Sequence, residues 1–181
     1  LISGHRRKKA CELAGFETLR CEVVDLDRDE ATILMVESNF QRSQILPSEK
    51  AHAYKMRLDA MKRQAGRPSK NNSATVLQNF GGKTTREIIA AESGESHEQV
   101  RKYIRLTNLI PEILDMVDEK KIAFNPAVEL SYLKPSEQKE FLEAMDYAQA
   151  SPSLSQAQRL KKLSQEGGCT LDAMCEVMNE I

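Results

Sequence analysis

Two helix starts twelve residues apart, with one glycine between them, constrain this chain more than any other feature. They lie in the segment TTREIIAAESGESHEQVRKYIR, from Thr84 to Arg105. Thr84 with Glu87, and Ser96 with Gln99, have the spacing of a capping box, in which two side chains satisfy backbone N–H groups at a helix start. Gly94 can take the left-handed conformation that ends the first helix. Ala90, Gly94 and Val100 then sit where a helix-turn-helix places a small residue, a turn glycine and a buried aliphatic. Ile89, Val100, Tyr103 and Ile104 can bury one face. Thr84 at the first helix start, and Ser96, His97, Glu98, Arg101, Lys102 and Arg105 on the second helix, are left for the side that would meet a major groove. The same pattern also describes a surface helical hairpin with solvated charges, so this segment alone leaves both readings open.

The 181 residues suffice for one large domain or two small ones, and 40% hydrophobic content is ample for a core. Aromatics are few and Trp is absent, which suits helices packed on helices. The net charge of −1 excludes a polycation, but the charge is segregated. Between Arg42 and Lys70 eight Lys and Arg stand against Glu49 and Asp59, whereas acids outnumber bases from Glu112 to Asp146. A locally basic surface on a near-neutral chain fits an anionic partner at one face. Cys11, Cys21, Cys169 and Cys175 form no CxxC pair, so neither a structural zinc site nor a disulfide framework is expected. No apolar run approaches membrane-spanning length and no signal peptide is evident, so a cytoplasmic protein with no membrane partner is expected. Leu1 stands where an initiating Met would, and the chain is expected to be part of a longer protein.

Patterning predicts a mainly α chain whose start is a truncated α/β unit. A short basic helix over 6–14 ends at Gly15, and LRCEVVDL, from Leu19 to Leu26, is the strand candidate. Asp27 and Glu30 open a helix to Asn39, and Pro47 opens a long one to Gln64 with Ala51, Tyr54, Leu58 and Met61 inward. Residues 65–73 read as an exposed linker. After the helix-turn-helix, helices are expected from Pro111, from Pro126 capped by Asn125, from Ser136, from Ser153 or Ser155, and from Thr170. The expected division is a partial N-terminal domain over 1–46, a helical domain carrying the helix-turn-helix over 47–150, and C-terminal helices over 151–181 that serve oligomerisation.

Two short clusters stand apart from packing logic. Gly4-His5-Arg6-Arg7-Lys8-Lys9-Ala10 puts a glycine and cations at a helix start, an arrangement that suits phosphate and equally a solvated basic turn. Glu37-Ser38-Asn39-Phe40-Gln41-Arg42 gathers a carboxylate, a hydroxyl, two amides and a guanidinium at a helix end, which can hold a divalent ion on a triphosphate or simply cap the helix.

Taken in order, these motifs resemble the ParB family of DNA-partition proteins. That family carries a G-E-R-R-x-R-A box, then an E-N-x-Q-R box followed by a leucine, a proline and an E-x-A helix start. Gly4 to Ala10 matches the first. Ser38-Asn39-Phe40-Gln41-Arg42 and then Leu46-Pro47-Ser48-Glu49-Lys50-Ala51 match the second, with the helix-turn-helix and Leu109-Ile110-Pro111 downstream. The resemblance runs from Gly4 to about Leu133. It implies a truncated α/β nucleotide-box domain followed by an all-helical DNA-binding domain. It also implies a dimer that binds a palindromic, centromere-like site on double-stranded DNA in plasmid or chromosome segregation, works with a ParA-type ATPase, and lies on the bacterial nucleoid or a plasmid. Family members use CTP and Mg2+ to close as a clamp on DNA. By resemblance Gly4, Arg6, Arg7, Ser38, Asn39 and Arg42 bind the nucleotide, and Glu37 and Asn39 bind the metal through it. His5 and Ser38 stand where the family has glutamates, Glu37 is displaced by one position, and the family's N-P-x-Q-P-R box is not in this sequence. These departures bear on whether CTP is bound or hydrolysed.

Alternatives on the same residues are a weak CTPase switch or ParB-like nuclease with a DNA-targeting module, and a transcriptional regulator. Gly81-Gly82-Lys83-Thr84 resembles the end of a P-loop, but Leu77 replaces the glycine the full pattern needs. His52 has no His or Cys at ligand spacing, and the methionines fall at helical spacing as core filler.

Overall fold

The computed structural model describes residues 1–40, 45–66 and 84–180, and among them it contains ten helices and no strand. The element with most neighbours is a long helix beginning at Pro47, a residue suited to the first helical turn because its missing N–H is not needed there. Glu49 accepts a hydrogen bond from the Leu46 N–H at 3.1 Å and closes that start. This helix is α3 (Pro47–Gly66), preceded by α1 (His5–Leu13) and α2 (Arg28–Phe40). The spacing of Ala51, Tyr54 and Leu58 puts all three on one stripe, and all are buried.

The helix-turn-helix forms as α4 (Thr85–Ser93) and α5 (His97–Leu106). Glu87 accepts from the Thr84 N–H, and the Ser96 hydroxyl accepts from the Gln99 N–H at 3.1 Å. Gly94 has φ +69°, the left-handed conformation that costs glycine nothing, and reverses the chain between the two helices. Ile89 and Val100 are fully buried and Ala90 nearly so, while Tyr103 and Ile104 are half-buried. Tyr54 and Leu58 of α3 complete this small core.

Five further helices build a larger core: α6 (Pro111–Asp118), α7 (Phe124–Leu130), α8 (Pro135–Ala148), α9 (Leu154–Glu166) and α10 (Leu171–Asn179). Leu106 at the end of α5 and Ala51 of α3 enter the same cluster, so the two cores are continuous through these helices. The 151–181 helices, expected to serve oligomerisation, bury Ala157, Leu160, Met174 and Val177 in this core; α9 packs on α7 and α10 on α8. Gln138 is wholly buried and satisfied on both sides of its amide. It accepts from the Ile110 N–H at 2.8 Å and donates to the Leu133 and Asn108 carbonyls at 2.9 and 3.1 Å.

Three expectations are corrected. Residues 19–26 are not a strand; they are irregular and exposed, with Val23 89% accessible. A strand needs a ladder partner, and no second extended segment is offered among the described residues. The seventh helix starts at Phe124 after Ala123, not at Pro126 after Asn125. Pro126 is tolerated inside the first turn, where N–H groups have no helical acceptor. The eighth starts at Pro135 rather than Ser136, with Glu137 accepting from the Lys134 N–H at 2.8 Å. The linker over 65–73 and the Gly81-Gly82 hinge lie mainly outside the described residues. Among those described, no helix is long and apolar enough to cross a membrane.

Glu137 also joins α8 to α9, because the Ser164 hydroxyl donates to its carboxylate at 2.5 Å. Desolvation pushes the Glu137 carboxyl up, but the bonds from Ser164 and from the Lys134 backbone and ammonium outweigh it, and the net shift is downward. A depressed carboxyl contributes stability above its unfolded value and loses it as pH falls through the lower folded value. Thermal melts are expected to lose stability below about pH 4.5, and Glu137→Gln is expected to be less stable near neutrality with a shallower acid loss. Parallel melts of the two chains from pH 6 to about pH 3 check this.

Candidate nucleic-acid interface

Val100 is buried, so residues on the far side of α5 are turned to solvent by helical geometry alone. Ser96, His97, Glu98 and Arg101 are exposed, and Lys102 and Arg105 half-buried. The Arg101 guanidinium lies 3.2 Å from Glu98, one turn back, with both side chains more than half exposed. Such a pair contributes little in water and exchanges readily for another anion. Lys102 donates to the Asn125 side chain of α7 at 3.3 Å. Arg105 is held more firmly: it donates to the Ser131 hydroxyl at 3.2 Å and carbonyl at 3.1 Å, and lies 3.9 Å over the Tyr132 ring. Arg105 therefore ties α5 to the end of α7, while Arg101, paired with the exposed Glu98 of its own helix, can reach outward. Thr84 is exposed at the start of α4.

The orientation of α5 is set from behind by aromatic rings. Tyr103 packs between Tyr54 of α3 at 5.8 Å and Phe124 of α7 at 4.8 Å, and Tyr54 stacks on Phe40 of α2 at 4.8 Å. Lys50 reaches Glu95 in the turn at 2.6 Å. Burial disfavours the Lys50 charge, but the bond to Glu95 more than restores it and raises the ammonium's pKa.

The residues of the two N-terminal clusters are placed as follows. Gly4 caps α1 with φ +88°, and Arg6 and Arg7 follow it, exposed, on a helix with no buried residue. Ser38 and Asn39 both donate to the Met35 carbonyl, at 2.8 and 3.0 Å. Glu37 receives the buried Arg57 guanidinium at 2.9 Å. Arg42 lies outside the described residues. Glu37 thus serves as a partner for Arg57, and Ser38 and Asn39 bond their own helix. Among the described residues no group of three or more His, Cys, Asp or Glu could hold a metal ion.

Arg57 is the residue that pattern reading passed over. It is 5% exposed and bonds Glu37 of α2 and Glu92 of α4, so one guanidinium joins three helices. A signal was present: Arg57 falls three residues after Tyr54 and shares the buried stripe of α3.

This arrangement, a capped helix-turn-helix braced by a third helix and a helical body, defines a helix-turn-helix DNA-binding class of protein. Residues 72–166, more than half of the chain, match the ParB HTH domain, and the chain belongs to that family. It is 29% identical over 147 residues to the chromosome-partitioning protein Spo0J of Thermus thermophilus, covering 79% of this chain and 46% of that protein. It is 26% identical over 127 residues to a probable chromosome-partitioning protein ParB of Rickettsia bellii, covering 70% and 37%. It is also 26% identical over 138 residues to a nucleoid occlusion protein of Listeria monocytogenes, covering 76% and 41%. The chain spans less than half the length of these relatives. Among solved structures it resembles C-terminally truncated ParB of Caulobacter crescentus complexed to the centromeric parS site. The TM-score is 0.50 at 20% identity over 90% of this chain and 73% of that one, a likeness of fold.

Arg57→Ala should leave Glu37 and Glu92 facing each other without a cation. Both carboxylates are partly exposed and can rehydrate, so the expected loss is about 2 kcal/mol, below that of a fully buried pair. Urea denaturation of the variant beside the native chain measures it, and Arg57→Lys should recover part of the loss.

Proposed function

We propose that this chain is the DNA-binding part of a ParB-type partition protein, which binds a palindromic, centromere-like site as a dimer. The observation that carries the reading is the outward face of α5, where Arg101 follows the buried Val100 inside a family helix-turn-helix. A palindrome presents two half-sites related by a two-fold axis, and two copies of one recognition helix meet it with half-sites about one helical turn, or a multiple, apart. The chromosome-partitioning proteins among its relatives support segregation as the process, and a ParA-type ATPase is the partner the ParB resemblance implies. A nucleoid occlusion protein is also among its relatives, and a Walker-type ATPase gene found beside this one would separate partition from a regulatory role on the same scaffold.

Arg101→Ala with Lys102→Ala is expected to lower affinity for a duplex selected by the native chain. Where either side chain meets a base edge, discrimination against unrelated duplex should fall by about 1–3 kcal/mol. Fluorescence anisotropy with both duplexes reads this, and unchanged affinity for the selected duplex would remove α5 as the reading element.

A CTP-gated clamp is the second reading. Its support is the left-handed Gly4 ahead of Arg6 and Arg7 at a helix start, the local form of an anion site. The second cluster bonds within the protein as placed, so no step is derived through the nucleotide. Calorimetry of CTP with Mg2+ and selected duplex is expected to give saturable heat that Arg6→Ala with Arg7→Ala abolishes. Heat absent from the native full-length protein sets the clamp aside and leaves DNA binding standing.

A further inference from the structure

Beside α5 lies an open groove of about 330 Å³ whose walls come from three helices. Lys55 of α3, Arg86 in the first turn of α4, and Arg101 and Arg105 of α5 all line it. Thr107 and Asn108 add polar groups, and no carboxylate residue contributes to the lining. A larger cleft that also borders α3 differs: there Lys50, Arg57 and Lys120 are matched by Glu37, Glu92, Glu95 and Asp118. Four cations converging on one concave surface with no acid in its wall repel one another and favour an anion between them.

We propose that Lys55, Arg86 and Arg101 together hold a backbone phosphate of double-stranded DNA, next to the bases that α5 faces. This rests on the DNA-binding reading and adds to it the residues that set register and position. The first helix of a helix-turn-helix crosses the backbone while the second enters the groove, and Arg86 stands at the start of that first helix. The start of α4 is the positive end of its helix dipole, and it carries Glu87 in the same turn as Arg86. Arg105 borders the site as a fixed charge, restrained by Ser131 and Tyr132. Arg101 has the exposed Glu98 as its exchangeable partner, so phosphate displaces a weak pair rather than a buried one. Lys55 is exposed and Arg86 half-buried, and both can be truncated without opening the core.

The test is a salt titration of binding for the full chain, Lys55→Ala, Arg86→Ala, the double variant, and Lys55→Arg with Arg86→Lys. The probes are a duplex selected from a random pool by the native chain and a mixed-sequence duplex. Each alanine should weaken both duplexes by the same factor and flatten the slope of log affinity against log salt by about 1, and the double variant by about 2. The charge-preserving variant should keep the native slope. Equal affinity and slope in all variants overturns the phosphate site while the native chain's binding keeps the DNA reading. A loss confined to the selected duplex also overturns it, since that marks base readout. A native chain that binds neither duplex overturns both. Binding of free CTP without duplex, lost in the same alanine variants, assigns the cations to a nucleotide and overturns the DNA-phosphate site.

Discussion

Everything near the recognition helix depends on α3 being held rigidly between its neighbours. Tyr54 is the pivot: it is 1% exposed, stacks on Phe40 on one side and meets Tyr103 at a tilt on the other. With Phe124 it makes a row of four rings that crosses α2, α3, α5 and α7. Aromatic side chains bury large areas with few rotatable bonds, so such a row fixes helix positions at low entropic cost. Polar ties surround it. Arg57 joins α2 and α4, Lys50 reaches the turn at Glu95, and Asp118 of α6 accepts from the Ser48 N–H at 3.0 Å and from its hydroxyl.

Cations consequently divide into two kinds. Arg57 and Arg105 are structural, each committed to oxygens of other helices, and Arg105 also to the Tyr132 ring. Arg101, Lys55 and Arg86 face an open surface without buried partners, which is where charge can act on something outside the molecule. A net charge near neutrality therefore conceals a face suited to an anion, because the compensating acids lie elsewhere. The N-terminal 27 residues contrast with this framework: α1 has no buried residue and the segment after it is irregular. The groups there that resemble a nucleotide box are tied to no core.

Local rules proved readable where one turn of chain supplies the physics. Thr84, Glu87, Gly94 and Ser96 placed both helices of the helix-turn-helix, and Thr170 placed the last helix start, while of Ser153 and Ser155 it is Ser153 that caps the helix before it. Val100 and Ile89 were recognisable as core by spacing. The failures came where a local preference competes with context. Val23 and Val24 favour extended chain, but no paired edge exists for them among the described residues. Asn125 looks like a cap, yet its side chain receives Lys102 while Ala123 takes the cap position.

From the sequence alone came the helical class, the helix-turn-helix, its outward cations and, through the order of motifs, the ParB likeness. Capping, glycine conformation and apolar periodicity act within a few residues, so the chain carries them wherever it is placed. The roles of individual charges were decided only by tertiary structure. Arg57 read like Lys55 as one more charge of a basic stretch, and Arg105 like Arg101 as an outward cation of the second helix, until partners 20 to 35 residues away on other helices committed Arg57 and Arg105. Whether a cation braces the fold or faces outward depends on what the rest of the chain brings within about 4 Å of it, and no window of sequence contains that information.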